Sequence, residues 1–267
     1  MNIIIENCSS PGASFTENTN KVIIKCYEWI SENNQRESSF SDFRKELTLN
    51  KGVNADNARN IYPLLKKCGF IDYESRGALV YKNFFTTNGL MYVKTLLLIE
   101  KLKNDTNMNS SEALKKATTI IEELIFQGIA NLLVNENSNY NKELSEMIRY
   151  VIEFGKINKQ EFAYLLYELN NLSETYSDMF LKTIQEYRNK DINIEVKIRV
   201  RNDIKIREKT NDETRLESIT YFTPYTYLSA LLYQAGVLKK GEDKNYLYLN
   251  SSRKMQCEKL LKEIYYE

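Results

Sequence analysis

The segment Leu64–Ile71, LLKKCGFI, gives the most direct indication of the fold. It places a glycine directly after the last apolar turn of a predicted helix, and an extended apolar run begins at the next residue. Glycine readily adopts the left-handed conformation that ends many helices. The segment Leu231–Leu238, LLYQAGVL, has the same arrangement near the other end of the chain. The sequence therefore predicts one architecture used twice, in which a helix ends at glycine and a strand follows at once.

The apolar spacing around the first segment predicts a winged helix-turn-helix unit, whose wing is the hairpin that follows the third helix. The three helices are expected from about Glu17 to Asn33, from Ser39 or Ser41 to the turn at Lys51-Gly52, and from Asn54 or Asp56 to Cys68. Two short strands should follow, over Phe70–Glu74 and Ala78–Phe84, and then a helix that begins after Thr86 or Thr87. The first 14 residues are expected to be irregular.

The whole chain is expected to divide into three regions. Residues 1–108 form an N-terminal winged-helix domain, residues 109–190 a helical middle, and residues 191–267 a basic hairpin with a C-terminal winged-helix domain. The apolar residues of the middle recur at helical spacing, which is typical of core helices. The predicted class is mainly α with small β-hairpins, in which two winged helix-turn-helix units flank a helical middle that acts as a rigid spacer.

The composition narrows the possible chemistry. The 267 residues include no histidine, which excludes Ser-His and Cys-His catalysis and any histidine-ligated metal. The four cysteines form no C-x-x-C pair, so we expect free thiols in a reducing compartment and no zinc site. Without a signal peptide or an apolar run near the roughly 20 residues that span a bilayer, we expect a cytoplasmic protein with no membrane contact. No metal and no cofactor are expected.

A basic hairpin is expected next to the second unit. Residues 194–201 alternate between apolar and charged, which predicts a half-buried strand, and Asn202-Asp203 can turn it into an antiparallel return over residues 204–207. Five cations then share one face, namely Lys197, Arg199, Arg201, Lys205 and Arg207. Such a cluster would dominate the local field although the net charge is only +1. The alternative is a solvated face whose cations pair with Glu195 or Glu208.

Base contacts are expected at the start of each recognition helix, the helix that enters the major groove. The first unit offers Asn54, Asn57, Arg59 and Asn60 there, and its wing offers Arg76 and Lys82 to phosphates. Asparagine can pair with adenine and arginine with guanine, and each pairing is worth about 1–3 kcal/mol of discrimination. The alternative is that these side chains only solvate a surface helix.

The second unit offers a different set of side chains. Thr223 is expected to cap the helix, and Tyr225 and Thr226 follow in its first turn. Their hydroxyls can contact phosphates, although Tyr225 and Tyr227 fit a core equally well. The second wing contributes Lys239, Lys240 and Lys244.

The order of these parts resembles the DNA-recognition half of type IIS restriction endonucleases and their nicking relatives, of the AlwI and BstNBI kind. The stretches that carry the resemblance are Leu64–Phe70 with Thr87–Leu90, Phe154–Ala163, and Thr220–Phe222 running into Val237–Leu249. In that family winged-helix subdomains precede a separate metal-dependent nuclease domain. This sequence stops where the nuclease domain is expected to begin. The resemblance therefore implies site recognition without cleavage, with any nuclease on another chain.

A nuclease within the sequence is the weaker alternative. Asp191, Glu195 and Lys197 read as D-x-x-x-E-x-K, close to a carboxylate-metal nuclease pattern. On one strand, however, the two carboxylates would lie about 13 Å apart, at about 3.3 Å per residue, too far for one metal ion.

The leading prediction is thus sequence-specific binding of double-stranded DNA, as the recognition part of a restriction-type system without its own cleavage domain. A winged-helix protein-interaction scaffold or regulator is the first alternative, and the metal-dependent nuclease is the second.

Overall fold

The structure, a computed structural model, describes residues 1–6, 8–73, 77–105, 110–135, 138–171, 176–201 and 214–265. Helices hold 65% of the described residues and strands 13%, which confirms the mainly α class with small sheets. In chain order the elements are β1 (Asn2–Glu6), α1 (Glu17–Glu32), β2 (Glu37–Ser39), α2 (Phe40–Lys51), α3 (Ala55–Lys67), β3 (Ala78–Val80), α4 (Thr87–Lys103), α5 (Ser110–Asn135), α6 (Asn141–Phe154), β4 (Lys156–Ile157), α7 (Lys159–Asn171), α8 (Asp178–Arg188), β5 (Glu195–Arg201), β6 (Thr214–Ser218), α9 (Thr223–Gln234), β7 (Leu238–Lys240), β8 (Leu247–Leu249) and α10 (Lys254–Tyr265).

The local signals at the helix ends account for the first unit. The side-chain oxygen of Thr16 accepts a hydrogen bond from the backbone of Thr19 and caps α1, and Ser39 caps α2 in the same way. Helix α2 ends at Gly52, whose φ is 63°. Strands β2 and β3 pair antiparallel. The expected strand over residues 70–74 is reduced to a single bridge between Ile71 and Phe85.

The predicted repeat is present in the backbone. Gly69 has φ of 72° and Gly236 has φ of 68°, and each ends a helix in the left-handed region. The amide of Phe70 bonds the carbonyl of Leu65 at 2.9 Å, and the equivalent bond from Val237 to Leu232 is also 2.9 Å. These are the six-to-one bonds of a Schellman motif.

The polar contacts after the two turns are equivalent as well. The hydroxyl of Thr86 donates to the carbonyl of Gly69 at 2.6 Å, and the side-chain amide of Asn250 donates to the carbonyl of Gly236 at 2.9 Å. Thr86 and Asn250 each precede the helical segment that closes their unit. The two units thus share their turn and a polar contact to its glycine carbonyl, but β3 of the first unit pairs with β2, whereas β7 and β8 of the second pair with each other.

Both units dock on helix α5. The side-chain amide of Asn131 donates to the carbonyl of Lys67 at 2.9 Å, which fixes the end of α3. Arg253 of the second unit forms an ion pair with Glu123, which lies about two turns before Asn131 on the same helix. The expectation that the helical middle holds the two units apart is therefore wrong, because they share one supporting helix. The described residues form one continuous core that draws on all three predicted regions.

Helix α5 is also the described helix that is long and apolar enough to cross a membrane by length and composition. Half of its most apolar stretch is buried within the protein. Leu124, Ile125, Ile129 and Leu132 on this helix are buried, and that arrangement is also typical of a central helix in a folded core.

The sheet around β5 corrects one expectation. Residues 2–6 are not irregular, since β1 pairs parallel with β5 through buried Ile3 and Ile5. The other edge of β5 pairs antiparallel with β6, with Arg199 opposite Leu216. The predicted turn at Asn202-Asp203 and the return over residues 204–207 belong to residues 202–213, which lie outside the described part of the chain.

Candidate nucleic-acid interface

The first unit presents its predicted base-reading residues at the start of α3. Arg59 and Asn60 are exposed there, and exposed Asn54 lies just before the helix. Asn57 belongs to the first turn of α3, but its side chain lies outside what the structure describes, and so does all of Arg76. Lys82 is exposed in the short 3₁₀ turn that follows β3.

The two predicted recognition helices border the same cleft. Asn60 of α3 and Tyr227 of α9 line a cleft of about 310 Å³, which we call the α3–α9 cleft. Thr16 and Asn18 at the start of α1 line it as well. The lining contains no charged side chain, so this cleft offers hydroxyl and amide groups only. The backbone of Phe15 donates to the side chain of Gln234 at 2.6 Å and thereby ties the start of α1 to the end of α9.

The start of α9 departs from two expectations. The helix begins at Thr223 itself, and the residue at the cap position is Phe222, which makes no side-chain cap bond. Thr223 is therefore not the cap that the sequence predicts. Tyr225 is half-buried against the ring of Phe162, with centroids 5.8 Å apart. Burial, followed by the charge of Glu161, raises the pKa of Tyr225. The core alternative thus describes Tyr225 better than phosphate contact, whereas Thr226 is exposed.

The predicted cations differ in whether they are already paired. Many surface lysines form ion pairs within their own helix, as Lys116 does with Glu112 at 2.7 Å. Six predicted cations are exposed and make no ion pair with any residue in the described ranges: Arg59, Lys82, Lys197, Lys239, Lys240 and Lys244. Their charges remain available to a phosphate backbone.

On the described part of β5, one of the predicted cations is already paired. The predicted alternation along β5 is confirmed, since Val196 and Ile198 are buried. Lys197 and Arg199 are exposed on the opposite face. Arg199, however, forms an ion pair with Glu6 of β1 at 2.8 Å. The charge of Arg199 is therefore partly neutralised, whereas Lys197 forms no ion pair with a described residue.

The other three cations of the predicted basic face lie outside the side chains that the structure describes. The side chain of Arg201 is outside the described part of the structure, as are all of Lys205 and Arg207. Glu195 shares the exposed face, so the described side chains of β5 and β1 there carry both signs of charge.

A second basic surface was missed by the sequence analysis. Sheet β4-β8-β7 sets Lys156, Tyr248 and Lys239 in one row across its three strands. The ammonium of Lys156 lies 4.1 Å from the ring centroid of Tyr246 and 5.9 Å from that of Tyr248. Such contacts hold the cation through the negative face of the ring. The alternating tyrosines of β8 are visible in the sequence, but Lys156 joins them only by strand pairing.

Next to this row lies a polar cleft of about 650 Å³, which we call the β4–α8 cleft. Its wall is held by an ion pair between Arg188 and Glu161, the latter fully buried. The guanidinium of Arg188 donates to both carboxylate oxygens of Glu161, at 2.7 and 3.1 Å, and to the carbonyls of Phe154 and Lys156. Burial opposes the charge of Arg188, but the hydrogen bond and attraction to Glu161 outweigh it and raise its pKa.

The nuclease pattern is not assembled as a metal site. Asp191 lies before β5 in the β4–α8 cleft, whereas Glu195 and Lys197 lie along β5 and line a different cleft. Within the ranges that the structure describes, no group of three or more cysteine, aspartate or glutamate side chains is placed to hold a metal ion.

No family model matches this sequence, and neither a curated protein nor a solved structure is significantly similar to it.

Proposed function

We propose that this protein binds double-stranded DNA through its two helix–glycine–strand units and reads the DNA sequence from the start of α3. The order of elements in the first unit, α1, β2, α2, α3, β3 and α4, supports its assignment as a winged helix. The second repeats the turn, the wing and the closing helix. In winged-helix and related helix-turn-helix units, the recognition helix enters the major groove and a wing contacts the backbone.

The observation that carries the proposal is the position of the unpaired cations. Lys239, Lys240 and Lys244 lie on the second wing or at its tip, and Lys82 follows β3 of the first. None of them pairs with a described carboxylate, although such pairs are common on the helix surfaces. Phosphate contacts of this kind supply most of the sequence-independent affinity for DNA. The near-neutral net charge is compatible with this, because phosphate contacts depend on the local arrangement of cations and not on the total charge.

Sequence preference is assigned to Arg59 and Asn60. Both are exposed near the beginning of α3, and the side chains of arginine and asparagine match the major-groove edges of guanine and adenine. Since α3 and α9 border one cleft, the two units would address adjacent parts of a single duplex rather than two distant sites. Thr226 on the exposed side of α9 then contributes a hydroxyl for a phosphate.

We place this activity in the recognition part of a restriction-type system in the cytoplasm. Any cleavage would come from a nuclease other than the D-x-x-x-E-x-K residues, since these do not converge. The resemblance to type IIS recognition regions supports this assignment.

A selection of bound duplexes from a random pool tests the proposal directly. We expect one enriched sequence, and we expect Arg59→Ala to reduce the preference for it by about 1–3 kcal/mol at one base position. Arg36→Ala is the matched control, because Arg36 lies in the same unit and is already paired with Glu46 at 2.7 Å. Absence of any duplex affinity at low salt would overturn the proposal and favour the protein-interaction alternative.

A further inference from the structure

At the β4–α8 cleft, helix α8 ends at a left-handed residue that is not glycine. Lys190 follows α8 and has φ of 68°, in the left-handed region. Its amide bonds the carbonyl of Tyr187 at 3.1 Å, and the amide of Asp191 bonds that of Glu186 at 2.9 Å, so the helix ends in a Schellman motif. The other left-handed residues that end helices in the described ranges are all glycine, namely Gly52, Gly69, Gly155 and Gly236.

A lysine at this position is unfavourable for the backbone. A residue with a Cβ is disfavoured in the left-handed region, and glycine would end the helix equally well. The side chain of Lys190 is exposed, lines the cleft and forms no ion pair with a described residue. Residues kept in strained backbone conformations concentrate at functional sites. The side chain of Lys190 therefore calls for a role that glycine cannot perform.

A second cation lines the same cleft. Lys156 is half-buried, and its ammonium lies over the ring of Tyr246. Arg188 lines the cleft as well, but its charge is balanced by Glu161. Lys156 and Lys190 are thus the two cations that the cleft can offer to an anion.

The rest of the lining is suited to a planar polar group. Four amide side chains line the cleft, namely those of Asn158, Gln160, Asn193 and Asn245. That of Asn158 accepts from the backbone of Glu161 and donates to Tyr187, and that of Asn245 donates to Asp243, so the donors and acceptors for a ligand come from Gln160 and Asn193. Two carboxylates, Asp191 and Asp243, also line the cleft, and one oxygen of Asp243 accepts from the backbone and side chain of Asn245. Carboxylates next to two lysines disfavour a polyanion. They favour a ligand with one phosphate and several hydrogen-bonding groups.

We propose that the β4–α8 cleft binds one unpaired nucleotide, with its phosphate on Lys156 and Lys190 and its base among the amide side chains and Tyr246. The source of the nucleotide is either a free mononucleotide or a base that has left the stack of the bound DNA, as occurs where proteins flip bases. Only the second source rests on the proposed DNA binding. The volume of about 650 Å³ lies within the range of small-molecule sites.

Lys190→Gly is the decisive variant, because strain and function predict opposite changes. Removal of the strained side chain should raise Tm by about 2–4 °C. The same variant, and separately Lys156→Gln, should weaken the binding of adenosine monophosphate at least about tenfold, since each removes one charge-assisted contact to its phosphate. Lys182→Ala on α8, whose lysine pairs with Glu186 at 3.7 Å, is the control and should bind like the parent protein. Calorimetry with adenosine, adenosine monophosphate and inorganic phosphate should show the monophosphate as the tightest of the three.

Two results would overturn the proposal: a rise in Tm for Lys190→Gly with unchanged affinity for the monophosphate, or equal affinity for adenosine and its monophosphate. Duplexes with and without a single-nucleotide bulge identify the source, because a DNA-derived nucleotide predicts tighter binding of the bulged duplex. If the monophosphate binds and no duplex does, the cleft stands and the proposed DNA binding fails. If duplexes bind but neither the bulge nor the monophosphate is favoured, DNA binding stands and the nucleotide cleft fails.

Discussion

Replacement of the two lysines of β7 tests the wing contacts most directly. Lys239 and Lys240 are exposed and make no ion pair with a described residue, and their backbone pairs with Tyr248 and Leu247 of β8. Glutamine at both positions keeps the length of the side chains and the strand pairing, and it removes two positive charges. The fold should be unaffected, because surface substitutions of this kind change stability by no more than about 0.5 kcal/mol.

The size of the expected change in DNA affinity follows from its dependence on salt concentration. Each phosphate contact contributes about −0.9 to the slope of log K against log salt, so the loss of two contacts should make the slope shallower by about 1.8. Between about 50 and 200 mM salt, the affinity advantage of the parent protein over the double variant should therefore shrink by roughly twelvefold. The loss should be the same for every duplex sequence, since backbone contacts carry no sequence information.

Fluorescence polarisation with a labelled duplex at several salt concentrations measures this slope. Lys116→Gln combined with Lys182→Gln is the matched control, because both lysines are exposed and paired within their helices, with Glu112 and Glu186. This control loses the same two charges and should keep the parental slope. A parental slope in the β7 variant, or an equal change in the control, would refute the assignment of the wing to the phosphate backbone.

Three further predictions concern the fold that supports the interface. Gly89→Ala would place a Cβ atom 1.8 Å from the carbonyl oxygen of Phe70, so urea unfolding should show a loss of at least about 4 kcal/mol; Gly12→Ala, with φ of 66° and open space around it, should cost only about 1–2 kcal/mol. Glu161→Gln leaves the cation of Arg188 without its partner and should lower the free energy of unfolding by about 3–5 kcal/mol. Thermal unfolding of the double variant Glu161→Leu with Arg188→Met should show that most of this loss is recovered. Burial raises the pKa of all four cysteine thiols from 9.0 to about 12. The stability that the neutral thiols contribute is therefore complete below about pH 9 and is lost as the pH rises toward 12. A free energy of unfolding that stays constant between these pH values would contradict this.

The basic residues of the wing could be predicted from the sequence, whereas those of the β4–α8 cleft could not. Lys239 and Lys240 could be identified from the sequence, because a turn rich in charged residues after Gly236 predicts an exposed wing. Lys156 and Lys190 could not, since Lys156 begins a two-residue strand and Lys190 lies at the end of a helix. Only the pairing of β4 with β8 and the packing of α8 bring them to one cleft.

The sequence alone determined the features that depend on a residue and its nearest neighbours. Gly69 and Gly236 end their helices because only glycine adopts the left-handed region without steric cost. The apolar residues of β5 alternate because successive side chains of a strand point to opposite faces. Such preferences are local, so they can be read before the chain is folded.

The tertiary structure decided which elements became neighbours. Strand β5 pairs with β1 and β6, and its Arg199 pairs with Glu6 across 193 positions of the chain. The two units share α5 instead of standing apart. These neighbours are decided by which apolar surfaces can be buried together in the folded chain. Contacts between residues distant in sequence must also compensate for the conformational entropy lost when the loops between them are closed.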